Sequence, residues 1–216
     1  MIVLFLLLLL VVTPAWAGFP TTPVLDTFNR TDENPLTTTT WTATVFAGDV
    51  TLAISSNVAA GTGTDNGNYW NVKTFQNCEV YTTITTKAGN GAGPQLYWRT
   101  VQHGAGLDGY VMTQRTAAGT DTLQVLRIDN SSVTQLGATI SQEITNGDSI
   151  GVRMIGPTIE VWYRSGSGAW TLLTTRSDTT YTAAGNIAAG GNGTVWRIDN
   201  FGGGNFRGGG APMIFP

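Results

Sequence analysis

The feature that most constrains this chain is a succession of short segments in which apolar or β-branched residues alternate with polar ones. A period of two places alternate side chains on opposite faces of a strand, so each segment predicts a half-buried β-strand. The segments are residues 78–87, 95–101, 109–115, 122–128, 149–155, 158–164, 169–175 and 195–198. Outside the first residues we find no segment with the periodicity of an amphipathic helix.

Turn-forming pairs separate these segments. Gly156-Pro157 lies between two of them and predicts a tight hairpin. Asn-Gly pairs begin at Asn66, Asn90, Asn146 and Asn192, and such pairs adopt the positive φ angles that two-residue turns need. Strands that follow one another through short turns predict an all-β sandwich of antiparallel sheets.

The charge content excludes several classes of protein. Only 12% of the residues are charged and the formal net charge is -3. A basic surface for DNA or RNA is therefore excluded, as are a coiled coil and charge-driven disorder. Cys78 is the single cysteine, so the chain cannot form an intrachain disulfide, and we expect a small buried residue on a strand.

The first 17 residues read as a signal peptide. Residues 2–12 form an unbroken apolar run, which as a helix is too short for a hydrocarbon core of about 30 Å. Ala15-Trp16-Ala17 has the small-x-small form that signal peptidases cleave, although no basic residue precedes the apolar run. We therefore expect a secreted protein that is free of the membrane after cleavage, with an uncleaved anchor as the alternative.

The rest of the chain divides into three parts by composition. Residues 18–23 are expected to be a linker rich in Pro and Thr, and residues 24–201 a single sandwich domain. Residues 202–216 form a glycine-rich tail, with a short apolar end from Ala211 to Pro216. Such a tail is either flexible or available for contacts with a neighbouring subunit.

Several segments of the chain together resemble the concanavalin A-like lectin/glucanase jelly rolls, in particular LamG-like domains of secreted or of phage and viral surface proteins. They are residues 24–30, Trp41, Gly109-Tyr110, residues 147–153, residues 160–163 and residues 198–201. The resemblance implies two antiparallel sheets of six or seven strands, with glycans often bound on the concave one. It also implies that the first and last strands pair, bringing Asp26 close to Asp199.

Enzymes of this fold provide a test for catalysis. The glucanases carry a Glu-x-Asp-x-Glu run on one strand, and none of the four glutamates here has a carboxylate two positions away. His103 is the only histidine, so the active site of a lyase or of a Ser-His-Asp hydrolase would have to depend on this one residue. We expect a protein without catalytic residues, and leave open an active site built from carboxylates distant in sequence.

A metal site in this chain could be built only from oxygen ligands. A site of clustered His or Cys is excluded, since the chain has one of each. No cofactor is expected, although residues 65–68, Asp129-Asn130 and the pair Asp26 and Asp199 leave a structural Ca²⁺ open. The alternative is that these Asp and Asn residues form turns.

Alternation suggests which side chains face away from the core. In residues 95–101 Gln95, Tyr97 and Arg99 share one side, opposite Leu96 and Trp98. Rings that stack on sugar C–H faces, beside planar polar groups that bind hydroxyls, suit a saccharide. The candidate carbohydrate-binding residues are Tyr97, Arg99, Arg153, Glu160, Trp162 and Arg164.

Three functions follow from these observations. The first is a secreted, non-enzymatic, lectin-like module that binds carbohydrate on its concave sheet. The second is a structural or adhesive surface protein of a virion or extracellular assembly, with self-assembly through the C-terminal tail. The third is a glycan hydrolase or lyase.

Overall fold

The computed structural model describes residues 18–36, 38–43, 49–89, 91–103 and 106–206. Over these residues the chain forms sixteen β-strands and no helix, divided between two antiparallel sheets of eight strands each. The prediction of an all-β sandwich is confirmed. None of the described residues belongs to a helix of the length and apolarity that a membrane crossing requires.

The first sheet has the strand order β14-β13-β12-β6-β16-β4-β3, with β1 also paired to β16. Its strands are β1 (Val24–Asp26), β3 (Ala53–Ser55), β4 (Val58–Ala60), β6 (Cys78–Thr86), β12 (Ser149–Ile155), β13 (Thr158–Arg164), β14 (Thr171–Ser177) and β16 (Arg197–Asn205). The implied pairing of first and last strands is confirmed, because Asp26 lies opposite Phe201.

The second sheet has the order β10-β9-β8-β7-β15-β5-β2, with β11 also paired to β9. Its strands are β2 (Trp41–Ala43), β5 (Asp65–Phe75), β7 (Gly93–His103), β8 (Gly106–Arg115), β9 (Thr122–Asp129), β10 (Ser132–Gln135), β11 (Ile140–Ser141) and β15 (Gly185–Asn192). Strand β15 therefore lies between β5 and β7, with a neighbour on each side.

The core fills the space between the two sheets. Trp98 and Tyr110 of the second sheet are buried and their rings stack, with centroids 5.8 Å apart. The indole of Trp98 donates to the sulfur of Met154 on the first sheet at 3.1 Å, which joins the two layers. Cys78 is buried in the same core, as expected, and burial raises the pKa of its thiol to about 12.

Of the turn signals, Gly156-Pro157 and Asn146-Gly147, where the φ of Gly147 is 96°, are confirmed, and Asn66-Gly67 is wrong. Ile155 pairs with Thr158 around Gly156, whose φ is 53°, so the hairpin is confirmed. Asn66-Gly67 is not a turn: it lies inside β5, opposite residues 190 and 191 of β15. The Asn66 side chain accepts hydrogen bonds from two backbone N–H groups and donates to three carbonyls, and so joins adjacent turns from within a strand.

The domain extends beyond both predicted boundaries. Strand β16 continues to Asn205, because Gly202 and Gly203 leave room for the Tyr81 ring and for the backbone of Glu79. Phe19, within the expected linker, is only 6% exposed. Residues 1–17, for which a signal peptide is expected, and residues 207–216 of the tail lie outside the described residues.

Candidate functional site

The six candidate carbohydrate-binding residues do not share one surface, so the expectation of a single face is corrected. Tyr97 and Arg99 lie on β7 of the second sheet, and the other four lie on the first sheet, at Arg153 of β12 and at Glu160, Trp162 and Arg164 of β13. Alternation predicts the side of a strand to which a residue points. It does not predict which of the two sheets the strand joins.

On the outer face of the first sheet, a row of charges crosses three strands. Arg153 lies opposite Glu160 on one side and Glu79 on the other. Its Nε donates to Glu160 Oε2 at 2.7 Å, and its Nη1 is 3.6 Å from Glu79 Oε1. Glu79 is fully buried and Arg153 is 2% exposed, so this ion pair is part of the interior.

The N-terminal segment, residues 18–23, covers this row. The backbone N–H and the hydroxyl of both Thr21 and Thr22 donate to Glu79 Oε2, at 2.7 to 3.1 Å. The Tyr81 hydroxyl donates to the carbonyl of Thr22 at 2.8 Å. The segment therefore both buries the Glu79 carboxylate and supplies the hydrogen bonds that a buried carboxylate requires.

Phe19 anchors the same segment among aromatic rings. Its ring stacks on Trp162 at 5.1 Å and meets Trp170 edge-on at 4.7 Å. Gly151 makes this contact possible, since a Cβ at that position would lie 2.5 Å from the Phe19 ring. Trp162 is thus engaged by the chain's own N-terminal segment.

Arg99 is a structural residue rather than part of an exposed face. It is 2% exposed, and its φ of 49° falls at a bulge of β7 where alternation breaks down. Its guanidinium donates to the carbonyls of Gln76 and Tyr181, and burial lowers its pKa.

The outer face of the second sheet carries two separate pockets at opposite ends of β15, of about 300 and 210 Å³, and we call the surface that includes them the β15 groove. The larger one, the acidic pocket, is lined by Asp49, Asp65, Asn66, Gln95, Tyr97, Gly191 and Asn192. The smaller one, the neutral pocket, is lined by Tyr69, Thr74, Thr100, Val101, Gln102, Leu107, Gly185 and Asn186.

Two tyrosines meet at the middle of the groove. Tyr69 of β5 and Tyr97 of β7 both lie opposite Ala188 of β15, one on each side. Tyr97 is 2% exposed and its ring packs with Val111 and Leu107, whereas Tyr69 is half-buried. Ala188 between them is fully buried and belongs to the same packed cluster as Tyr97, Leu107 and Val111. A Cβ at Gly190 would lie 2.4 Å from a backbone oxygen.

A chain of hydrogen bonds crosses the acidic pocket from β7 to β5. The Tyr97 hydroxyl donates to Gln95 Oε1, and the Gln95 side-chain amide donates to Asn192 Oδ1 at 2.8 Å. The Asn192 amide donates in turn to Asp65. Three strands thus hold amide and carboxylate groups in fixed orientations beside a ring, an arrangement that can bind hydroxyl groups.

The acidic pocket has a negative electrostatic character. Burial raises the pKa of the Tyr97 hydroxyl well above its ordinary value, and the charges of Asp49 and Asp65 add to the shift. The phenol therefore stays protonated at neutral pH and can donate. Among the described residues that line the two pockets there is no lysine, arginine or histidine.

Apart from Tyr97, none of the five side chains that line the acidic pocket was a carbohydrate-binding candidate in the sequence, although Asp65 and Asn66 lie in a segment considered for calcium: Asp49, Asp65, Asn66, Gln95 and Asn192. Gln95 shares a side with Tyr97 by alternation, so a signal for it existed. The sequence around Asn192 reads as a turn, and β15, rich in Gly and Ala, lacks the β-branched alternation that marks a strand.

At two of the places suggested for calcium, Asp26 and Asp129, the carboxylates are already engaged by other side chains. Asp26 accepts hydrogen bonds from Arg30 and from the indole of Trp41, so its carboxylate is engaged by cationic and N–H donors. Asp129 accepts from Arg127 and Tyr181 in the same way. Within the described ranges, no three His, Cys, Asp or Glu residues form a cluster that could hold a metal.

His103 does not join either pocket of the groove. It is 46% exposed, and its Nε2 is 3.0 Å from the Asp108 carboxylate. Tyr181 lies nearby and donates to Asp129 at 2.8 Å, and burial followed by this hydrogen bond raises its pKa. A tyrosine that holds its proton so firmly is a poor catalytic base.

No protein-family model matches this chain, and neither does any curated protein sequence. Solved structures do match. The carbohydrate-binding module CBM66 from Bacillus subtilis is 16% identical, with 77% of this chain and 92% of that chain covered and a TM-score of 0.55. The exoplasmic/lumenal domain of VIP36, in a form bound to Ca²⁺ and Man2, is 12% identical, with 88% and 90% covered and a TM-score of 0.61.

A β-glucanase from Bacillus licheniformis is also similar, at 9% identity, with 84% of this chain and 97% of that chain covered and a TM-score of 0.58. Together these structures define the class: the chain has the lectin-like fold of the concanavalin A-like jelly rolls. Identities this low establish the fold alone.

Proposed function

We propose that this chain binds carbohydrate, and that the β15 groove is its binding surface. The observation that carries the proposal is the pairing of Tyr69 and Tyr97 across Ala188, with a polar pocket at each end of the same strand. From Gly185 to Asn192 the strand rises about 23 Å, a length that takes several sugar units. Lectin and carbohydrate-binding-module neighbours support the same function.

The proposal moves the binding surface away from the first sheet. Trp162, Glu160 and Arg153 contact Phe19 or one another, and their role in this proposal is to hold the N-terminal segment. A glycan would have to displace that segment to reach them. At the β15 groove the Tyr69 ring can stack on a sugar, and Gln95, Asn192 and Asp65 can bind its hydroxyls.

A glycan array probed with the purified chain tests this function, beside the variants Tyr69→Ala and Trp162→Ala. We expect specific binding that falls at least tenfold in Tyr69→Ala and is retained in Trp162→Ala. Thermal unfolding of both variants verifies that they are folded. Binding that survives Tyr69→Ala and disappears in folded Trp162→Ala would move the site to the first sheet.

Hydrolysis is the second candidate, since two carboxylates, Asp49 and Asp65, line one pocket. Paired carboxylates are the usual groups of glycosidases, and the glucanase neighbour has the same fold. Release of reducing ends from bound oligosaccharides, abolished in Asp65→Asn, would establish it. Binding without release favours the lectin-like function.

We also propose export of the chain, with cleavage after Ala17, on the strength of the sequence pattern. Mass spectrometry of the secreted protein should find Gly18 as the first residue. Self-assembly through the tail is the alternative role, and truncation after Phe206 tests it. Loss of oligomers with retained glycan binding would assign assembly to residues 207–216.

A further inference from the structure

A third pocket, of about 370 Å³, lies beside the neutral pocket of the β15 groove. We call it the amide pocket, and it is lined by Thr74, Gln76, Asn77, Ala184, Asn205 and Phe206. Thr74 lines both pockets, and Ala184 is followed in the chain by Gly185 and Asn186, which line the neutral pocket. The amide pocket therefore continues the groove past the start of β15, at the end of the strand opposite the acidic pocket.

Two side-chain amides of this pocket are held so that their N–H groups are available. Asn77 Oδ1 accepts from the backbone N–H of Gly156 at 2.9 Å and from Arg99 Nη2 at 3.4 Å. Asn205 Oδ1 accepts from the backbone N–H of Gln76 at 3.2 Å. Both side chains belong to exposed residues, and within the described part of the chain their amide N–H groups donate to no acceptor. A ligand that accepts hydrogen bonds would engage them.

A buried positive charge lies directly behind this lining. The Arg99 side chain is 2% exposed, and its guanidinium donates to the carbonyls of Gln76 and Tyr181, at 2.6 and 2.9 Å, as well as to Asn77 Oδ1. None of these acceptors is a carboxylate, and among the described residues Arg99 forms no ion pair. Holding a buried charge without a counter-charge is costly, and burial accordingly lowers the pKa of this arginine.

The Arg99 charge is not offset on the pocket side either. Arg153, which is just as buried, has the carboxylates of Glu79 and Glu160 beside it. At Arg99 nothing takes that place, since no described carboxylate lines the amide pocket or the neutral pocket. Asn77 turns its Oδ1 to the guanidinium and so leaves the positive end of its amide dipole for the pocket. The amide pocket therefore attracts negative charge, in contrast to the acidic pocket.

Resting on the proposed function, we propose that the amide pocket binds the carboxylate of a uronic acid unit in an acidic glycan, whose next unit occupies the neutral pocket beside the Tyr69 ring. The carboxylate accepts hydrogen bonds from the Asn77 and Asn205 amides and from the Thr74 hydroxyl, while Arg99 provides the charge behind them. Asp49 and Asp65 lie at the other end of β15, away from this carboxylate.

The side-chain amide signals of Asn77 and Asn205 provide a readout of this pocket in the full chain. Nitrogen–proton correlation spectra follow them during titration, and their loss in Asn77→Ala and Asn205→Ala assigns them. The probes are sodium glucuronate, methyl glucoside and sodium acetate, in EDTA and at constant ionic strength, so that no cation bridges the ligand to the protein. Glucuronate and methyl glucoside share a pyranose ring and differ in the carboxylate, whereas acetate is a carboxylate without a ring.

We expect glucuronate to shift both amide signals and to bind about fivefold or more tightly than methyl glucoside or acetate. Asn77→Asp places a negative charge beside Arg99, so it should weaken glucuronate binding about tenfold or more, while its Tm stays at or above that of the unmodified chain. Asn71→Asp is the matched control, because Asn71 is exposed and lines none of the three pockets. It should leave glucuronate binding within about twofold.

The results that overturn the proposal are distinguishable. Absence of amide shifts with glucuronate, equal affinity for methyl glucoside, or a loss in Asn71→Asp as large as in Asn77→Asp refutes the uronic acid site while glycan binding on the β15 groove stands. Acetate that binds as tightly as glucuronate makes the pocket an anion site without a part in glycan recognition. Failure of the whole glycan array refutes the proposed function itself.

Discussion

Replacing Glu79 by glutamine perturbs the contact that holds the N-terminal segment to the first sheet. Glu79 is fully buried, and its Oε2 accepts four hydrogen bonds from Thr21 and Thr22. The glutamine side chain of the variant would keep the shape and lose the charge. Arg153, 2% exposed, would then keep Glu160 as its carboxylate partner at 2.7 Å.

The expected loss follows from the energetics of buried ion pairs. Removing one member of a buried pair typically costs about 3–5 kcal/mol, because the remaining charge is left without compensation. Since Glu160 still compensates Arg153, we expect Glu79→Gln to lower the free energy of unfolding by about 2–3 kcal/mol. Glu143→Gln, at a half-exposed pair with Lys87, should cost less than about 1 kcal/mol.

Urea unfolding monitored by tryptophan fluorescence measures both losses. Trp162 and Trp170 contact Phe19, so release of the segment should also change the native emission of the Glu79→Gln variant. The loss in a Glu79→Gln, Phe19→Ala double variant should be smaller than the sum of the single losses, because both act through one segment. A Glu79→Gln loss below about 1 kcal/mol, or full additivity, would refute this account.

Three further predictions follow from single side chains. Burial opposes ionisation of Asp148, but hydrogen bonds from Thr145 and Gly166 outweigh it and leave its pKa below the ordinary value. The Asp148 carboxylate therefore stabilises the fold at pH values above its pKa in the unfolded chain, and this contribution is lost as the pH falls through its lower pKa in the folded protein. In urea unfolding, the free energy of unfolding of Asp148→Asn should be lower than that of the unmodified chain near neutral pH and approach the same value at strongly acidic pH. A difference between the two free energies that does not change with pH would contradict this. The Cys78 thiol, with a pKa raised to about 12 by burial, should react with a disulfide reagent at mildly alkaline pH only in denaturant. Asn66→Ala should lower the free energy of unfolding by about 2–4 kcal/mol, because the Asn66 side chain satisfies several backbone groups. Asn71 is exposed and bonds one hydroxyl, so Asn71→Ala should lower it by less than about 1 kcal/mol. Equal losses for the two variants in urea unfolding would contradict the structural role of Asn66.

The sequence predicts much of the fold because its second half has strong local signals. The β12–β13 hairpin is an example, where alternation and Gly156-Pro157 agree with the observed pairing. The residues of β15 carry no such signal. Its glycines and alanines are there for close approach to neighbouring strands, and that requirement appears only once β5 and β7 lie on either side.

The candidate site is less predictable, since it depends on contacts between segments distant in sequence. Tyr97 is at the β15 groove, but Trp162 is covered by Phe19, which lies near the other end of the chain. Nothing in the local pattern around Trp162 indicates that cover. The hydrogen-bond chain from Tyr97 to Asp65 likewise crosses three strands, and its members are joined only by the strand register.

The measurement that tests the central claim most directly is the affinity of one bound glycan for the chain and for Tyr69→Ala, Gln95→Ala and Trp162→Ala. If the β15 groove is the binding surface, the first two variants lose at least tenfold in affinity while remaining folded, and Trp162→Ala binds as the unmodified chain does. Unchanged affinity in both groove variants would contradict the account.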